Sequence, residues 1–239
     1  GWRTSYGVVL VFVFKQKTAD EIPCRDLSSD VCSSDLMVAM GLVGPISDEQ
    51  KELLELSLQS SKHLLQLIND VLDISKIQAG SLSLYIEPDV NVYEEINSAV
   101  EMVMPMFKDK PVKLIKEIEE NLPVISGDKR RIRQIFLNLL SNAAKFTKQG
   151  SVTIKAWKDT DFVLFGVLDT GSGIPPETQE AIFEPFVQTE EGAKMEQGTG
   201  LGLPITRSLI EAHRGKLWLE STVGKGSAFY FRLPLETKS

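Results

Sequence analysis

The feature that most constrains the fold is a long helical segment with one apolar seam. Ser47 can cap a helix, and Gln50 three residues later completes a capping box. Beyond it, apolar and small residues recur at alternating spacings of four and three, the pattern of a helix in a bundle or coiled coil. The seam consists of Leu54, Leu58, Ser61, Leu65, Ile68, Leu72 and Ser75. Gly80 ends the segment. Because one helix cannot bury such a seam alone, we expect a partner helix, and residues 37–44 are too few to supply it.

Past Gly80 the periodicity changes, and short strands mix irregularly with helices. The patterns predict strands at residues 81–86, 112–118, 151–157, 162–168, 216–220 and 227–233, and helices at residues 92–107, 128–147 and 202–213. The strand at 162–168 is almost wholly apolar, which predicts a central position in the sheet. The predicted fold class is α+β: a two-layer α/β sandwich with helices on one face of a mixed sheet, preceded by one long bundle helix.

Residues 1–36 do not read like the rest of the chain. The run at 8–14 would be an aggregation-prone strand with no partner strand. The run from Ser28 to Leu36 is polar and without period, and it resembles the end of a DNA-sequencing adapter translated as protein. We therefore predict that residues 1–36 are a non-native segment. An ordinary variable N-terminal arm is the alternative, and resequencing of the locus would distinguish the two.

The composition argues against several classes of function. The chain has 239 residues and a formal net charge of −7, from 26 basic and 33 acidic residues, and it shows no basic stripe. Neither nucleic-acid binding nor polybasic attachment to a membrane is therefore expected. No apolar run approaches the roughly 20 residues of a membrane-spanning helix. The two cysteines cannot form a disulfide framework. These features predict a soluble chain in a reducing, cytoplasmic compartment.

The predicted helix at 128–147 carries a polar stripe opposite its apolar face. The stripe consists of Arg131, Gln134, Asn138, Asn142 and Lys145, which helical spacing puts along one side. Asparagine is a poor helix former and is unusual on a face that only meets solvent. Amide oxygens suit Mg²⁺, and a lysine one turn further along suits phosphate. The stripe indicates either a phosphate and metal site or a solvated face, and by itself it does not choose between them.

An aspartate and two glycines follow the apolar strand. Asp169 ends that strand, and Gly171 and Gly173 come next. An ionised carboxylate only accepts hydrogen bonds, so it can bind an exocyclic amine such as that of adenine. The glycines would let the backbone approach a flat ring closely. The alternative is a capping aspartate in a tight turn, which is common.

A glycine-rich segment opens the last predicted helix, with Gly198, Gly200 and Gly202 at alternate positions. Small residues and backbone N–H groups at a helix N-terminus form a cradle for phosphate. The segment lacks the Lys-Ser/Thr ending of a P-loop, and it does not directly follow a strand as a dinucleotide fingerprint does. Alone it is a weak indication.

The order of these motifs is more specific than any one of them. Asn-x-x-x-Asn, then Asp-x-Gly-x-Gly, then Phe-Glu-Pro-Phe at 183–186, then Gly-x-Gly-x-Gly resembles the ATP-binding domain of sensor histidine kinases. That family belongs to an ATPase superfamily with gyrase, the heat-shock chaperone ATPase and mismatch-repair ATPases. The resemblance extends from Met37 to Leu235. Residues 183–191 resemble hybrid sensor kinases in particular, and residues 69–77 resemble the second helix of the kinase dimerisation and phosphotransfer domain.

The resemblance implies a role for each motif. Asn142 would bind Mg²⁺, Asn138 would lie near phosphate and metal, and Lys145 would contact phosphate. Asp169 would bind adenine, and the two glycines after it would pass the base. The glycine-rich segment would hold the phosphates and a mobile lid at residues 187–197. The implied cofactors are ATP and Mg²⁺, and the implied site residues are Asn138, Asn142, Lys145, Asp169, Gly171, Gly173, Gly198, Gly200 and Gly202.

The resemblance also implies a phosphoacceptor histidine, and we expect this chain to lack it. The chain has two histidines. His63 lies inside the long helix without the acidic residue and proline that follow an acceptor. His213 follows the last helix, where the family often has a structural histidine. Residues 37–80 would then be the remnant of the dimerisation domain and residues 81–239 the ATP-binding catalytic domain, and the chain could not autophosphorylate alone.

The implied reaction is transfer of the ATP γ-phosphoryl group to a histidine in two-component signalling. The implied partners are a phosphoacceptor histidine domain and a response-regulator receiver domain, and the parent would be a homodimer that can be membrane-anchored. A superfamily ATPase that drives conformational change, a serine kinase and a non-catalytic scaffold are the alternatives. Hydrolysis is disfavoured because ATPase relatives carry a glutamate base where this chain has Asn138, and an amide is not a general base. A serine kinase would not need the helix at 47–79.

Overall fold

The computed structural model describes residues 44–188 and 199–236. The helices are α1 (Asp48–Gln78), α2 (Val92–Val103), α3 (Lys129–Phe146) and α4 (Gly202–Ala212). The strands are β1 (Glu87–Val90), β2 (Val112–Ile118), β3 (Ile125–Gly127), β4 (Gly150–Asp159), β5 (Phe162–Asp169), β6 (Lys216–Thr222) and β7 (Gly226–Pro234). Short 3₁₀ turns follow α2 at Met104–Phe107 and precede α4 at Pro176–Thr178 and Ala181–Phe183. In the described ranges no helix has the length and apolar character needed to cross a membrane.

Helix α1 begins and ends as the sequence predicts. The Ser47 N–H donates to Gln50 Oε1 at 2.9 Å, and the Gln50 N–H donates to Ser47 Oγ at 3.2 Å, which forms the expected capping box. The helix ends at Gln78, and Gly80 has a φ of 63°, a conformation that favours glycine. The end of the helix is therefore fixed by local chemistry.

Many apolar side chains of α1 are exposed, whereas Leu54, Leu58 and Leu65 of the predicted seam are half-buried. Leu53, Leu56, Leu64, Ile68, Val71 and Leu72 are between 39% and 67% exposed. A row of large apolar side chains in water is the mark of an interaction surface, in agreement with the expected need for a partner helix. The last turns differ, because Ile74 is buried and Ile77 packs against the core of the following domain.

The main sheet has five strands in the order β2-β4-β5-β7-β6. Strand β2 runs parallel to β4, and the other neighbours are antiparallel, so the sheet is mixed as predicted. The apolar strand β5 is central, and β6 and β7 form the predicted hairpin. A second, two-stranded sheet pairs β1 with β3, and the sequence analysis missed both strands.

The strand predicted at 81–86 is wrong. That segment has no regular structure, and the ladder begins only at Glu87. Its alternation is nevertheless real, since Leu82, Leu84 and Ile86 are half-buried while the residues between them are exposed. Alternating burial reports which side of an extended chain packs on the protein, and it does not report whether a neighbouring strand supplies hydrogen bonds.

The core lies between the main sheet and the helices. The buried face of α3 contains Ile132, Ile135, Phe136, Leu139, Leu140, Ala143 and Ala144. The Phe136 ring lies 5.3 Å from the rings of both Phe165 on β5 and Phe231 on β7, and those two rings stack at 4.8 Å. This aromatic cluster packs α3 against the central strand β5 and its neighbour β7. The packing confirms the two-layer sandwich and turns the polar face of α3 away from the core.

Candidate functional site

The start of α3 is held by a buried polar network. The Asp128 carboxylate accepts from the Arg130 and Arg131 N–H groups at 3.1 and 3.2 Å and from the Tyr85 N–H at 3.0 Å. The Asp128 N–H in turn donates to Nε2 of His213, which is fully buried at the end of α4. Since α3 carries most of the predicted site residues, this network helps to fix where they lie.

His213 is a structural residue. Its Nδ1 lies 2.7 Å from the Leu209 carbonyl oxygen, to which it donates, so both ring nitrogens are engaged. Burial lowers the pKa of His213, opposed by the hydrogen bond to Leu209 and by the charge of Asp128. The imidazole is therefore held neutral, in the tautomer that accepts from Asp128.

The predicted polar stripe of α3 divides into two parts. Its N-terminal part binds the end of α1: Arg131 Nη1 and Nη2 donate to the two carboxylate oxygens of Asp73 at 2.6 and 2.9 Å. Gln134 completes the cluster, since its Oε1 accepts from Arg131 at 2.8 Å and its Nε2 donates to Asp73 at 3.4 Å. Only the C-terminal part, from Asn138 to Lys145, faces the region of the other motifs.

Asn138 joins α3 to the start of α4. Its Nδ2 donates to the Gly202 carbonyl oxygen and to Thr206 Oγ1, both at 3.2 Å. Asn142 and Lys145 continue the same face and are half-buried. Burial lowers the pKa of Lys145. An anion beside this ammonium would restore the stability of its charged form.

Asp169 lies at the end of the central strand, half-buried. Its Oδ1 accepts from the Gly171 N–H at 2.8 Å. Burial raises the pKa of this carboxyl, and the backbone N–H groups of Gly171 and Ser227 oppose that shift. A Cβ at Gly171 would clash with the carbonyl oxygen of Phe146, the last residue of α3. The loop after β5 therefore passes directly against the end of α3, next to Lys145.

The loop after β5 is supported from behind by the predicted Gly173 and by two residues that the sequence analysis missed, Ser221 and Gln179. Gly173 has a φ of 72°, and a Cβ there would clash with the Thr222 carbonyl oxygen. The Ile174 N–H donates to Ser221 Oγ at 2.8 Å. Gln179 Nε2 donates to the carbonyl oxygens of Ile174 and Ser221 at 2.9 and 3.2 Å. A serine near the end of a strand and a glutamine in a turn carry no distinctive sequence signal, so only the fold identifies them.

The glycine-rich segment is described in part. Gly200 has a φ of 69°, and its carbonyl oxygen accepts from the Phe186 N–H at 3.1 Å. Gly202 is the first residue of α4. Gly198 and residues 189–197 of the predicted lid lie outside the described residues. Phe186 is 67% exposed.

The structure thus brings the predicted motifs together around the C-terminal part of the α3 face. Asn138 contacts Gly202, and Gly171 contacts the residue after Lys145. Among the described residues no three His, Cys, Asp or Glu side chains are grouped to hold a metal ion.

Two family models match the chain. The model described as "Histidine kinase-, DNA gyrase B-, and HSP90-like ATPase" matches residues 127–237, which assigns the sandwich and its site to this class of ATPase domain. The model described as "His Kinase A (phospho-acceptor) domain" matches residues 33–80. With both domains present in this order, the chain belongs to the sensor histidine kinases of two-component signalling.

Curated relatives agree with this assignment. The circadian input-output histidine kinase CikA of Synechococcus elongatus is 38% identical over 198 residues, which cover 81% of this chain and 26% of CikA. The hybrid signal transduction histidine kinase B of Dictyostelium discoideum is 38% identical over 196 residues, which cover 79% of this chain and 10% of that protein. The chain therefore spans roughly a quarter or less of the length of these relatives.

Solved structures have the same fold. The crystal structure of full-length ShkA in complex with AMPPNP aligns with a TM-score of 0.69 and 31% identity, over 90% of this chain and 46% of ShkA. The catalytic domain of the histidine kinase ThkA aligns with a TM-score of 0.56 and 29% identity, over 65% of this chain and 98% of that domain.

The expectation that the chain is incomplete gains no support from these matches. Residues 33–80 match a phosphoacceptor domain, so that domain is present. The matched segment contains His63, whose side chain lies outside the described part of the chain. The domain boundary predicted at residues 80 and 81 stays a prediction.

Proposed function

We propose that the chain binds ATP with Mg²⁺ and transfers the γ-phosphoryl group to a histidine. The observation that supports this most is the convergence of three motifs on one face of α3. The Asn138 amide contacts the start of α4 at 3.2 Å, and the loop after Asp169 passes against the end of α3 at Gly171. The relative ShkA, 31% identical, was crystallised with AMPPNP.

Asp169 would bind the adenine. A carboxylate offers about four acceptor positions, so an exocyclic amine can bind beside the Gly171 N–H that already occupies one of them. Burial raises the pKa of Asp169, and a hydrogen bond from the amine would favour the ionised form. The missing side chain at Gly171 would let the ring lie close to the backbone.

Asn138, Asn142 and Lys145 would hold the phosphates. Amide oxygens and an ammonium group form a donor set that suits Mg²⁺ and phosphate. When bound, Mg²⁺ would neutralise part of the charge on the phosphates and help to orient the triphosphate for in-line transfer. Asn142 would be its protein ligand. The Asn138 amide, fixed by its bonds to Gly202 and Thr206, would position the phosphates beside it.

A histidine outside this chain would be the acceptor. His213 cannot attack a phosphoryl group, because both of its nitrogens are engaged and the ring is fully buried. His63 lacks the acidic residue and proline of an acceptor motif. The partners would be a phosphoacceptor histidine domain and a response-regulator receiver domain, and the parent would be a homodimer.

Hydrolysis to drive conformational change is the second candidate. Asn138 occupies the position of the glutamate base of such ATPases, and its amide nitrogen donates to α4. An amide in this state cannot take a proton from water. This contact favours phosphoryl transfer over hydrolysis.

Incubation with γ-³²P-ATP and a separate histidine phosphotransfer domain tests the proposal. We expect label on the added domain in an acid-labile, alkali-stable bond, and the same result with the His63→Ala variant. Label on this chain that disappears in His63→Ala would identify His63 as the acceptor. An acid-stable phosphoester would indicate a serine kinase, and release of inorganic phosphate alone would indicate an ATPase.

A further inference from the structure

The Asp73–Arg131 pair lies on the same face of α3 as the proposed phosphate contacts, about two helical turns closer to the N-terminus of that helix. Both groups are largely shielded from solvent, with 9% of the Asp73 side chain and 23% of the Arg131 side chain exposed. The pair is bidentate, with distances of 2.6 and 2.9 Å. It connects the last turns of the phosphoacceptor-domain helix α1 to the first turns of α3.

Arg131 shares one face of α3 with the proposed phosphate contacts. Arg131, Gln134, Asn138 and Asn142 follow one another at helical spacing. At ~1.5 Å of rise per residue, the backbones of Arg131 and Asn138 are about 10 Å apart along the axis. The two residues are about two helical turns apart, and Gln134 lies between them on the same face.

We propose that Arg131 is shared between two anions: the carboxylate of Asp73 and the phosphate chain of the nucleotide. The inference rests on the proposed function, since it takes the phosphates to lie beside Asn138 and Asn142. Without nucleotide, Arg131 holds α1 through Asp73. The nucleotide attracts the same guanidinium and loosens that hold, so that ATP binding is coupled to release of the phosphoacceptor-domain helix.

Electrostatics predicts whether each substitution should strengthen or weaken ATP binding. Asp73 neutralises Arg131, so removing the carboxylate leaves a cation near the phosphates and should tighten ATP binding. Removing the guanidinium should weaken it. At about 10 Å in a partly shielded site, each change should amount to roughly threefold to tenfold at low salt and should shrink as salt is added. Linkage requires that ATP weaken the Asp73 contact by the same factor.

Calorimetric titration of the full chain with Mg²⁺-ATP tests the direction of these changes in affinity. We expect Asp73→Asn to lower the dissociation constant and Arg131→Gln to raise it, with the double variant close to wild type. The matched controls are Glu95→Gln and Arg133→Gln, because Arg133 Nε binds Glu95 Oε2 at 2.7 Å on the other side of the same helix. Both controls should change affinity by less than about twofold, since their charges do not lie on the nucleotide face.

If the Asp73–Arg131 pair only held α1 against α3, the variants would bind ATP differently. If Asp73→Asn and Arg131→Gln both weaken ATP binding, or if neither changes it, the shared-arginine inference is wrong. Hydrogen exchange gives a second readout: ATP should speed exchange of the backbone amides at residues 70–78 in wild type and add nothing in Asp73→Asn. Absence of any ATP binding by folded wild type would instead refute the proposed function, and the inference with it.

Discussion

Replacing Asp169 with alanine should remove most of the preference for adenine over guanine. The carboxylate is half-buried at the end of β5 and is held in place by the Gly171 N–H at 2.8 Å. A charge-assisted hydrogen bond from the adenine amine is worth about 1.5–3 kcal/mol. Since ~1.4 kcal/mol is tenfold in an equilibrium constant, ATP affinity should fall roughly tenfold to a hundredfold. GTP carries a carbonyl oxygen where adenine carries its amine, so its affinity should change little.

Competition of ATP and GTP against a fluorescent nucleotide measures both affinities in one sample. Asp161→Ala is the matched control, because Asp161 is exposed and precedes the same strand at its opposite end. The urea midpoint of each variant should be recorded, since Asp169→Ala also removes the acceptor of the Gly171 N–H. An unchanged ratio of ATP to GTP affinity in a folded Asp169→Ala sample would refute the assignment of the adenine contact.

Three further substitutions follow from the same geometry. Asn142→Ala should abolish the Mg²⁺ dependence of ATP binding, and a titration with and without Mg²⁺ that shows it unchanged would exclude Asn142 from the metal site. Gly171→Ala should abolish ATP binding, because its Cβ would clash with the Phe146 carbonyl oxygen; retained affinity in a sample with native circular dichroism would contradict this. His213→Ala should cost about 1–3 kcal/mol of stability, since it leaves the buried Asp128 N–H without its acceptor. Burial lowers the pKa of His213 below its usual 6.5. The unfolded chain therefore binds the proton at a higher pH than the folded chain does. The contribution of neutral His213 to the stability of the wild type should be fully present above pH 6.5 and should be lost as the pH falls below it. Urea unfolding across this pH range should show that His213→Ala lacks this component.

Local chemistry made much of the fold predictable. The capping box at Ser47 and Gln50 forms as expected, and the apolar run that ends at Asp169 is the central strand. Each of these signals depends on residues within a few positions of one another. For the same reason they could not identify β1 and β3, which are short and become strands only by pairing across more than 30 residues of chain, as the Glu87–Gly127 partners show.

The polar stripe of α3 shows where sequence reasoning stops. Its spacing correctly predicted one face, but it could not tell which neighbour each part of that face would meet. Arg131 and Gln134 bind Asp73, which is 58 residues from Arg131 in the chain. The long-range partner of a polar residue depends on tertiary packing, and no periodicity encodes it.

The candidate site was predictable as a set of motifs and not as an arrangement. The order of the motifs indicated the family, and the family models now match residues 33–80 and 127–237. The supports of the loop after β5, Ser221 and Gln179, could not be found, because their partners are backbone carbonyl and N–H groups that every sequence contains. The roles of the individual site residues remain predictions.

Titration calorimetry of the full chain with ATP, with and without Mg²⁺ and with GTP as control, tests the nucleotide site most directly. If α3, the loop after Asp169 and the start of α4 form that site, one ATP should bind per chain. Binding should weaken when Mg²⁺ is removed, and GTP should bind at least about tenfold more weakly, because it lacks the amine that Asp169 would accept. A folded sample that binds neither nucleotide, or that binds ATP and GTP equally, would contradict it.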